Sequence, residues 1–256
     1  MKVFITGATS GIGAATARKF AKNGHQVWVT GRRLDRLEAL AAAFRHDFDT
    51  ELSYTQLDVR DLEAVKELQS AVEQQWGAPD ILINNAGLAL GLSTIDEGDI
   101  TEWDTMIDTN VKGLLYITRA FSPLMKQQKQ GHIFNIGSTA GQVVYPNGNV
   151  YCATKHAVAA LSESMRIDLL PHNIKVTAVN PGMVDTEFSL VRFSGDAVRA
   201  DATYLGFEPL HAADIADTIY YCATLPPHVC INDLTITCTR QANGIFKTTD
   251  EAVMNA

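Results

Sequence analysis

The sequence predicts a single α/β domain built on a doubly wound parallel sheet, and three observations support this fold class. Short β-branched runs alternate with amphipathic helical patterns along the chain. The predicted strands are mostly apolar, as expected for strands that helices cover on both faces. The 256 residues contain no internal repeat, low-complexity tract or linker, and single α/β domains often reach about 250 residues.

The strands and helices follow from the spacing of apolar residues. Short apolar and β-branched runs predict strands at residues 3–6, 27–30, 53–57, 81–84, 132–136 and 175–179, with a further candidate at 234–237. Apolar residues at helical spacing predict helices at residues 14–23, 34–44, 62–76, 103–126, 151–170 and 214–224, and Gly24 is expected to end the first helix. Because parallel strands end at one edge of the sheet, that edge should hold the site.

One segment departs from this regular alternation. Residues 185–210 are polar, have weak periodicity and include Gly195 and Gly206. Because a long irregular segment in a compact domain is usually functional, we expect a substrate lid here. The alternative is a surface excursion with one short helix.

Composition excludes several classes of protein. A formal net charge of −8 argues against nucleic acid as a partner. No run reaches the roughly 18 apolar residues of a membrane span, and the N-terminus lacks the apolar stretch of a secretory signal. The scattered Cys152, Cys222, Cys230 and Cys238 predict free thiols in a reducing compartment rather than a metal site. We therefore expect a cytoplasmic protein with no metal, membrane or nucleic-acid partner.

A glycine-rich turn, TGATSGIG, lies between the first predicted strand and the first predicted helix. Glycine there permits a tight turn and lets the backbone approach a phosphate, which the helix N-terminus attracts. This context predicts a Rossmann-like dinucleotide-binding catalytic domain over residues 1–256. The spacing G-x-x-x-G-x-G differs from the usual G-x-G-x-x-G, and a tight turn without a ligand is the alternative. The predicted contacts are Gly7, Thr9, Ser10, Gly11, Ile12 and Gly13.

Two arginines at the end of the second strand indicate the cofactor. Dinucleotide folds often place an acidic residue here for the ribose 2′-hydroxyl, whereas this chain has Arg32 and Arg33. Paired charge-assisted hydrogen bonds from guanidinium groups suit a 2′-phosphate, which predicts NADP(H) rather than NAD(H). The alternative is a solvated pair of surface arginines, and the nearby Asp35 weighs against the cofactor interpretation.

Three side chains predict proton transfer next to that cofactor. Tyr151 and Lys155 are four residues apart on a predicted helix and therefore share one face. We expect the ammonium to stabilise tyrosinate and bring the pKa of Tyr151 toward the operating pH. Ser138 follows the fifth strand at the edge where parallel sheets bind ligands, and its hydroxyl would hold a substrate oxygen.

Six motifs spread along the whole chain resemble those of short-chain dehydrogenases/reductases. They are TGATSGIG, NNAG (84–87), DTN ending at Asn110, IGS ending at Ser138, YCATK (151–155) and NPG (180–182). The resemblance implies that Tyr151 is the general acid/base, Lys155 its pKa modulator and a ribose ligand, and Ser138 the carbonyl orienter. It implies that Asn110 holds a helix kink and a proton-relay water. The further cofactor contacts that it implies are Asp58, Val59, Asn85, Ala86, Gly87, Pro181, Gly182, Val184 and Thr186.

A narrower likeness concerns the substrate. Five longer segments resemble bacterial NADP-dependent 3-hydroxy acid dehydrogenases: NNAGLALG, MIDTN, IGSTAG, GNVY and TEFSLVRF. This likeness implies serine, allo-threonine or 3-hydroxypropionate/malonic semialdehyde as substrate. A substrate carboxylate needs a cationic partner, and Arg192 in the predicted lid is our hypothesis; a surface arginine is the alternative. The family also implies a homotetramer, although the tail TITCTRQANGIF fits the subgroup less well.

Two rival functions stay open at this point. The first is an NADPH-dependent reductase of another carbonyl compound, such as a simple ketone or an acyl thioester. The second is an NADP-binding regulator that performs no chemistry. Intact Ser138, Tyr151 and Lys155 argue against the regulator, because a sensor has no need of all three.

Overall fold

A seven-stranded parallel sheet forms the centre of the molecule, and the computed structural model describes residues 1–250. Residues 251–256 of the predicted domain lie outside the described part. The strands of the sheet are β1 (Lys2–Ile5), β2 (Gln26–Gly31), β3 (Ser53–Gln56), β4 (Ile81–Asn84), β5 (Gly131–Ile136), β6 (Ile174–Pro181) and β9 (Asp233–Ile236). Their order is β3-β2-β1-β4-β5-β6-β9, and each neighbouring pair is parallel.

Helices cover both faces of this sheet. They are α1 (Gly11–Lys22), α2 (Leu34–Phe48), α3 (Leu62–Trp76), α4 (Ile100–Ile107), α5 (Leu114–Gln128), α6 (Asn149–Leu169), α7 (Glu187–Arg192), α8 (Ala197–Ala202) and α9 (Ala212–Ala223). One core contains Phe20 and Phe44 from α1 and α2, and the other contains Phe121 and Val158 from α5 and α6. The predicted doubly wound fold is therefore confirmed, with α1 beginning three residues earlier than expected, inside the glycine turn.

The order of the strands reverses between β1 and β4, where the chain changes direction across the sheet. In open α/β sheets, ligands bind outside the carboxyl ends of the strands at such a reversal. The glycine turn follows β1, and the NNAG motif follows β4. The fold therefore brings these two motifs to one crevice.

The long helix predicted at residues 103–126 is interrupted. A π-helical turn at Asp108–Gly113 separates α4 from α5. Its Asn110 accepts a hydrogen bond from the Leu88 amide and donates one to the Leu88 carbonyl oxygen, both at 2.8 Å. Such a bulge leaves the apolar periodicity almost unchanged, so the sequence pattern did not indicate it.

The irregular segment at 185–210 begins and ends at one small sheet. Strand β7 (Val184–Asp185) pairs in parallel with β8 (Leu210–His211), so the two ends of the segment meet. The structure has two short helices between them, α7 and α8, where the surface alternative expected one. Tyr204 links the segment to its base, because its hydroxyl donates to the Val184 carbonyl oxygen at 2.9 Å.

Among the described residues, no helix combines the length and the apolar character needed to cross a membrane. All four cysteines are free thiols, as the sequence predicted. Residues 1–250 contain no group of three or more His, Cys, Asp or Glu side chains suited to a metal ion.

Candidate active site

A cavity of about 570 Å³ opens at the carboxyl edge of the sheet, at the reversal between β1 and β4. Every residue predicted to contact cofactor or substrate, or to act in catalysis, lines this cavity except Gly13 and Asn110. These two lie directly behind its wall, because Gly13 packs against Gly7 and Asn85, and Asn110 packs against Gly87. The fold therefore gathers motifs that are spread over most of the sequence.

The glycine turn is packed so tightly that side chains have no room. Gly7 has a φ of +69°, and a Cβ atom there would lie 2.7 Å from the Ala86 Cα atom. A Cβ atom on Gly13 would lie 2.6 Å from the Gly7 carbonyl oxygen. The Asn85 side chain fastens this arrangement by donating to the carbonyl oxygens of Thr6 and Gly7, each at 2.9 Å. The turn is thus held rigidly at the mouth of the crevice.

The first turn of α1 offers free backbone donors to an anion. Ser10 precedes the helix in an extended conformation and makes no side-chain capping bond, and the first turn contains no acidic residue. The N–H groups of a first helical turn have no partner within the helix, and the helix dipole adds a positive field. This arrangement fits a phosphate group.

Arg33 supplies the second part of the anion site. Its Nη2 atom donates to the Thr9 hydroxyl at 2.9 Å and to the Ser10 hydroxyl at 3.0 Å, which holds the guanidinium beside the glycine turn. Arg32 lies on the same rim and is exposed. Asp35 forms no ion pair with either arginine among residues 1–250; Arg33 pairs instead with Glu187. These donors fit the NADP(H) that the sequence predicts, with the 2′-phosphate at Arg33.

The predicted proton-transfer residues lie deeper in the cavity. Tyr151 is in the first turn of α6 and is 8% exposed, and Lys155 follows one turn later. The Lys155 Nζ atom donates to the Ile136 carbonyl oxygen at 2.8 Å and lies 5.9 Å from the centre of the Tyr151 ring. Ser138 directly follows Gly137 at the end of β5, and its hydroxyl accepts a hydrogen bond from the Ala140 amide at 3.1 Å.

Burial shifts the pKa values of both Tyr151 and Lys155. Burial, followed by the Tyr145 phenol, raises the pKa of Tyr151 well above its usual value, while the Ser138 hydroxyl and the Arg192 guanidinium lower it. Burial also lowers the pKa of Lys155 to about 8. Burial is the largest influence on the pKa of Tyr151 here, and the Lys155 ammonium donates to a backbone carbonyl oxygen, so a lowering of that pKa by Lys155 stays a prediction.

Asn110 lies in the same wall as Lys155. A Cβ atom on Gly87 would lie 3.2 Å from the Asn110 Oδ1 atom and 3.6 Å from the Lys155 Nζ atom. The Asn110 Nδ2 atom also donates to the Thr154 hydroxyl at 3.1 Å. The π-helical turn therefore places the Asn110 amide group beside Thr154 and Lys155, which lie on the same face of α6 as Tyr151.

Arg192 reaches the catalytic end of the cavity from α7. Its guanidinium carbon lies 5.7 Å from the centre of the Tyr151 ring, and its Nη1 atom donates to the Tyr145 hydroxyl at 2.9 Å. Its Nε atom donates to the Gly91 carbonyl oxygen at 3.2 Å. Within the described chain, Arg192 has no carboxylate partner. A part-buried cation without a counter-ion beside the tyrosine is suited to an anionic ligand.

Tyr145 and Phe188 line the same region, and sequence reasoning missed both of them. The Phe188 ring lies 5.7 Å from the Tyr151 ring, and Tyr145 bonds to Arg192. The available signal was position, because Tyr145 lies between Ser138 and Tyr151 and Phe188 lies in the predicted lid. Burial raises the pKa of Tyr145, which keeps its phenol neutral and able to donate a hydrogen bond.

Comparison with known proteins adds a family and several relatives. The family model described as short chain dehydrogenase matches residues 1–195. The chain is 47% identical over 233 residues to the NADP-dependent 3-hydroxy acid dehydrogenase YdfG of Salmonella typhi, covering 91% of this chain and 92% of that protein. It is 45% identical over 245 residues to the sulfoacetaldehyde reductase of Chromohalobacter salexigens, covering 95% and 96% of the two chains.

A solved structure shows the same architecture. The closed form of serine dehydrogenase complexed with NADP⁺ superimposes with a TM-score of 0.91 at 43% sequence identity, covering 97% of this chain and 99% of that one. The likeness therefore extends over the whole fold, including residues beyond those that the family model matches.

Proposed function

Because this chain belongs to the short-chain dehydrogenase/reductase family, we propose that it transfers a hydride between NADP(H) and a small 3-hydroxy acid. The candidate substrates are serine, allo-threonine and 3-hydroxypropionate/malonic semialdehyde. The resemblance that the motifs indicated is confirmed, both to the family and to the NADP-dependent 3-hydroxy acid dehydrogenases. The NADP-dependent relatives support the cofactor, and the donors around Arg33 fit its 2′-phosphate.

One observation carries the choice of an acid as substrate. Arg192 holds an uncompensated positive charge 5.7 Å from the Tyr151 ring. In a 3-hydroxy acid, the carboxylate carbon is two bonds from the carbon that reacts, so one molecule spans both groups. A simple ketone or secondary alcohol would leave this part-buried cation without a counter-ion, which is unfavourable.

The residues of the site suggest which group gives or takes the proton in each direction of the reaction. The bound cofactor supplies the group that accepts or donates the hydride. In oxidation, Tyr151 must first lose its own proton; as tyrosinate it then takes the proton of the substrate hydroxyl, and the Ser138 hydroxyl holds the developing carbonyl oxygen. In reduction, the neutral phenol donates that proton to the carbonyl oxygen. The raised pKa of Tyr151 keeps the phenol protonated at neutral pH, which is the form that reduction requires.

The roles of the positioning residues are part of this proposal. Lys155 and Asn110 border Gly87, where the resemblance implies a cofactor ribose and a proton-relay water. Segment 185–210 is proposed as the lid, supported by Phe188 and Arg192, which approach Tyr151 from α7. A homotetramer is proposed from the family, supported by the exposed apolar Ile167 on α6. The cytoplasm is proposed from the free thiols.

A substrate panel tests the function. NADP⁺ and NAD⁺ are each paired with L-serine, allo-threonine, 3-hydroxypropionate, 2-hydroxyethanesulfonate and simple secondary alcohols, and formation of reduced nicotinamide is followed by absorbance. We expect NADP⁺ with a hydroxy acid to give the highest kcat/KM. Higher kcat/KM for neutral alcohols would favour the alternative carbonyl reductase. Tight NADPH binding without turnover on any compound would favour the regulator.

The sulfonate distinguishes two kinds of acid. Sulfoacetaldehyde, named for the relative in Chromohalobacter salexigens, carries its anionic group one methylene from the carbonyl carbon, as malonic semialdehyde does. Arg192 and Tyr145 offer donors that suit either anion. Comparing 3-hydroxypropionate with 2-hydroxyethanesulfonate therefore measures the preference of the site between a planar and a tetrahedral anion.

A further inference from the structure

Glu187, the first residue of α7, pairs with two arginines of the cofactor side. Its Oε2 atom lies 2.9 Å from the Arg33 Nη1 atom, and its Oε1 atom lies 2.7 Å from the Arg36 Nη1 atom. The hydrogen bond from Arg33 is the main reason why the pKa of Glu187 lies below its usual value. The carboxylate is therefore ionised at neutral pH, and the proposed reaction assigns it no task.

Arg33 is also the group that the proposed function assigns to the 2′-phosphate. Its Nε and Nη2 atoms donate to the Thr9 hydroxyl, and Nη2 also donates to the Ser10 hydroxyl. The remaining guanidinium nitrogen, Nη1, donates to Glu187. A phosphate monoester carries about −1.5 to −2 charges at neutral pH. Placing it next to a carboxylate on the same guanidinium costs repulsion, so the two anions compete for Arg33.

The competition for Arg33 can also affect residues at the catalytic end of the cavity, because α7 connects the two ends. Helix α7 has only six residues, and it carries Glu187 at its start, Phe188 against Tyr151, and Arg192 at its end. Displacing Glu187 from Arg33 removes one of the two ion pairs that hold the start of α7 and leaves only the pair with Arg36 on α2. One short helix therefore connects the phosphate end of the cofactor site with the substrate end.

We propose that Glu187 is a specificity-determining residue for the cofactor, whose carboxylate holds Arg33 and Arg36 until the 2′-phosphate of NADP(H) displaces it from Arg33. NAD(H) has no such phosphate and leaves both ion pairs in place. The displacement leaves the start of α7 held by Arg36 alone and so loosens it, and the helix that carries Arg192 responds to which nucleotide is bound. This inference rests on the proposed function, which makes Arg33 the ligand of the phosphate.

Calorimetric titration tests the competition directly. The dissociation constants of NADP⁺, NAD⁺, 2′,5′-ADP and 5′-AMP are measured for the wild-type protein, Glu187→Gln and Glu208→Gln. Glu208 pairs with His211 at 2.9 Å outside the cavity, so its variant is the matched control. Because Glu187→Gln removes one competing charge, we expect its Kd for NADP⁺ and 2′,5′-ADP to fall about 3- to 10-fold. The Kd values for NAD⁺ and 5′-AMP should stay unchanged.

A second measurement needs no variant. Hydrogen–deuterium exchange of the wild-type protein is compared with 2′,5′-ADP and with 5′-AMP, neither of which carries a nicotinamide. We expect faster exchange at residues 187–195 with 2′,5′-ADP only. Equal exchange with both nucleotides would overturn the release of α7.

The outcomes separate this inference from the proposed function. Unchanged or weaker NADP⁺ binding by Glu187→Gln, or an equal gain for NAD⁺, would overturn the role of Glu187 while leaving the function intact. A wild-type protein that binds NADP⁺ no more tightly than NAD⁺ would contradict the proposed cofactor itself.

Discussion

The Arg192 Nη1 atom donates a 2.9 Å hydrogen bond to the Tyr145 hydroxyl, which joins α7 to the loop between β5 and α6. The guanidinium carbon lies 5.4 Å from the centre of the Tyr145 ring and 5.7 Å from that of Tyr151. A neutral phenol and a cation thus lie together beside the proposed acid/base. This pairing is the observation that supports an acid rather than a neutral alcohol as the proposed substrate.

Replacing Arg192 with Met should weaken the handling of acids specifically. A hydrogen bond to a charged group contributes about 1.5–3 kcal/mol, so kcat/KM for 3-hydroxypropionate or serine should fall about 10- to 100-fold, mainly through KM. A neutral secondary alcohol should be affected little. Arg199→Met is the matched control, because Arg199 also lies over an aromatic ring, that of Phe193 at 4.4 Å, but does not itself line the cavity. An equal fall in kcat/KM for the acid and for the alcohol would contradict the role of Arg192 in binding the substrate anion.

Replacing Tyr145 with Phe tests the other half of the pair. Loss of a neutral hydrogen bond contributes about 0.5–1.5 kcal/mol, so kcat/KM for the acid should fall about 2- to 13-fold. In the double variant with Arg192→Met, the two losses should not add, because the side chains touch. Tyr221→Phe, on the exposed face of α9, serves as the control. Full additivity would show that the two side chains act independently on the substrate.

Tyr151→Phe should remove turnover without removing the fold. Positioned proton transfer contributes about 10²- to 10⁴-fold, so kcat should fall by that factor in both directions. The Kd for NADP⁺ and the thermal midpoint should change little, because only the hydroxyl is lost. Rates of hydride transfer close to those of the wild-type protein would contradict the proposed chemistry.

Arg33→Gln should lower the affinity for the phosphorylated cofactor. Paired charge-assisted hydrogen bonds contribute about 1.5–3 kcal/mol, so the Kd for NADP⁺ should rise about 10- to 100-fold while that for NAD⁺ changes little. The matched control is Arg45→Gln on α2, the helix that begins directly after Arg33, where Arg45 pairs with the exposed Glu51 at 3.7 Å. A parallel loss of NAD⁺ binding would indicate that Arg33 supports the turn rather than the phosphate.

His132 on β5 should control stability in acid. Burial lowers the pKa of His132 to about 3 from the usual 6.5. Its Nε2 atom lies 2.7 Å from the Thr177 hydroxyl, whose proton goes to the Ile231 carbonyl oxygen, so the neutral imidazole donates through Nε2. Between these two pKa values, only the unfolded state binds the proton. The free energy of unfolding should therefore fall as pH falls from 6.5 toward 3, by about 5 kcal/mol at most.

Urea denaturation at about pH 7 and about pH 4 checks this effect. His132→Gln keeps a donor for Thr177 and should flatten the loss of stability in acid, whereas the exposed His228→Gln should leave it as in the wild-type protein. A steep loss in His132→Gln equal to that of the wild-type protein would assign the acid sensitivity to other groups.

Local patterns predicted most elements because strands and helices depend on neighbouring residues. Helix α3 at Leu62–Trp76 and strand β4 at Ile81–Asn84 have the predicted bounds. Apolar spacing predicted one unbroken helix at 103–126, where only the resemblance implied a kink at Asn110, and it predicted neither of the two short helices within 185–210. In both places the backbone follows contacts that are remote in sequence, such as those between Asn110 and Leu88.

For the site, spacing placed Tyr151 and Lys155 on one helix face, and strand–turn–helix context placed the glycines at the crevice. Tyr145, Phe188 and Glu187 escaped prediction, because they lie outside any catalytic motif. Their partners are distant in the chain: Arg192 lies 47 residues from Tyr145, and Glu187 lies 154 residues from Arg33.

By itself, the sequence determined the order of strands and helices, the position of the glycine turn and the identity of the proposed acid/base, since each depends on residues close together in the chain. Only the tertiary structure decided that burial raises the pKa of Tyr151, that Arg192 lies beside the Tyr151 ring, and that Glu187 forms an ion pair with Arg33. The physical reason is that desolvation and ion pairing depend on which surfaces the fold brings together, and spacing along the chain does not encode those contacts.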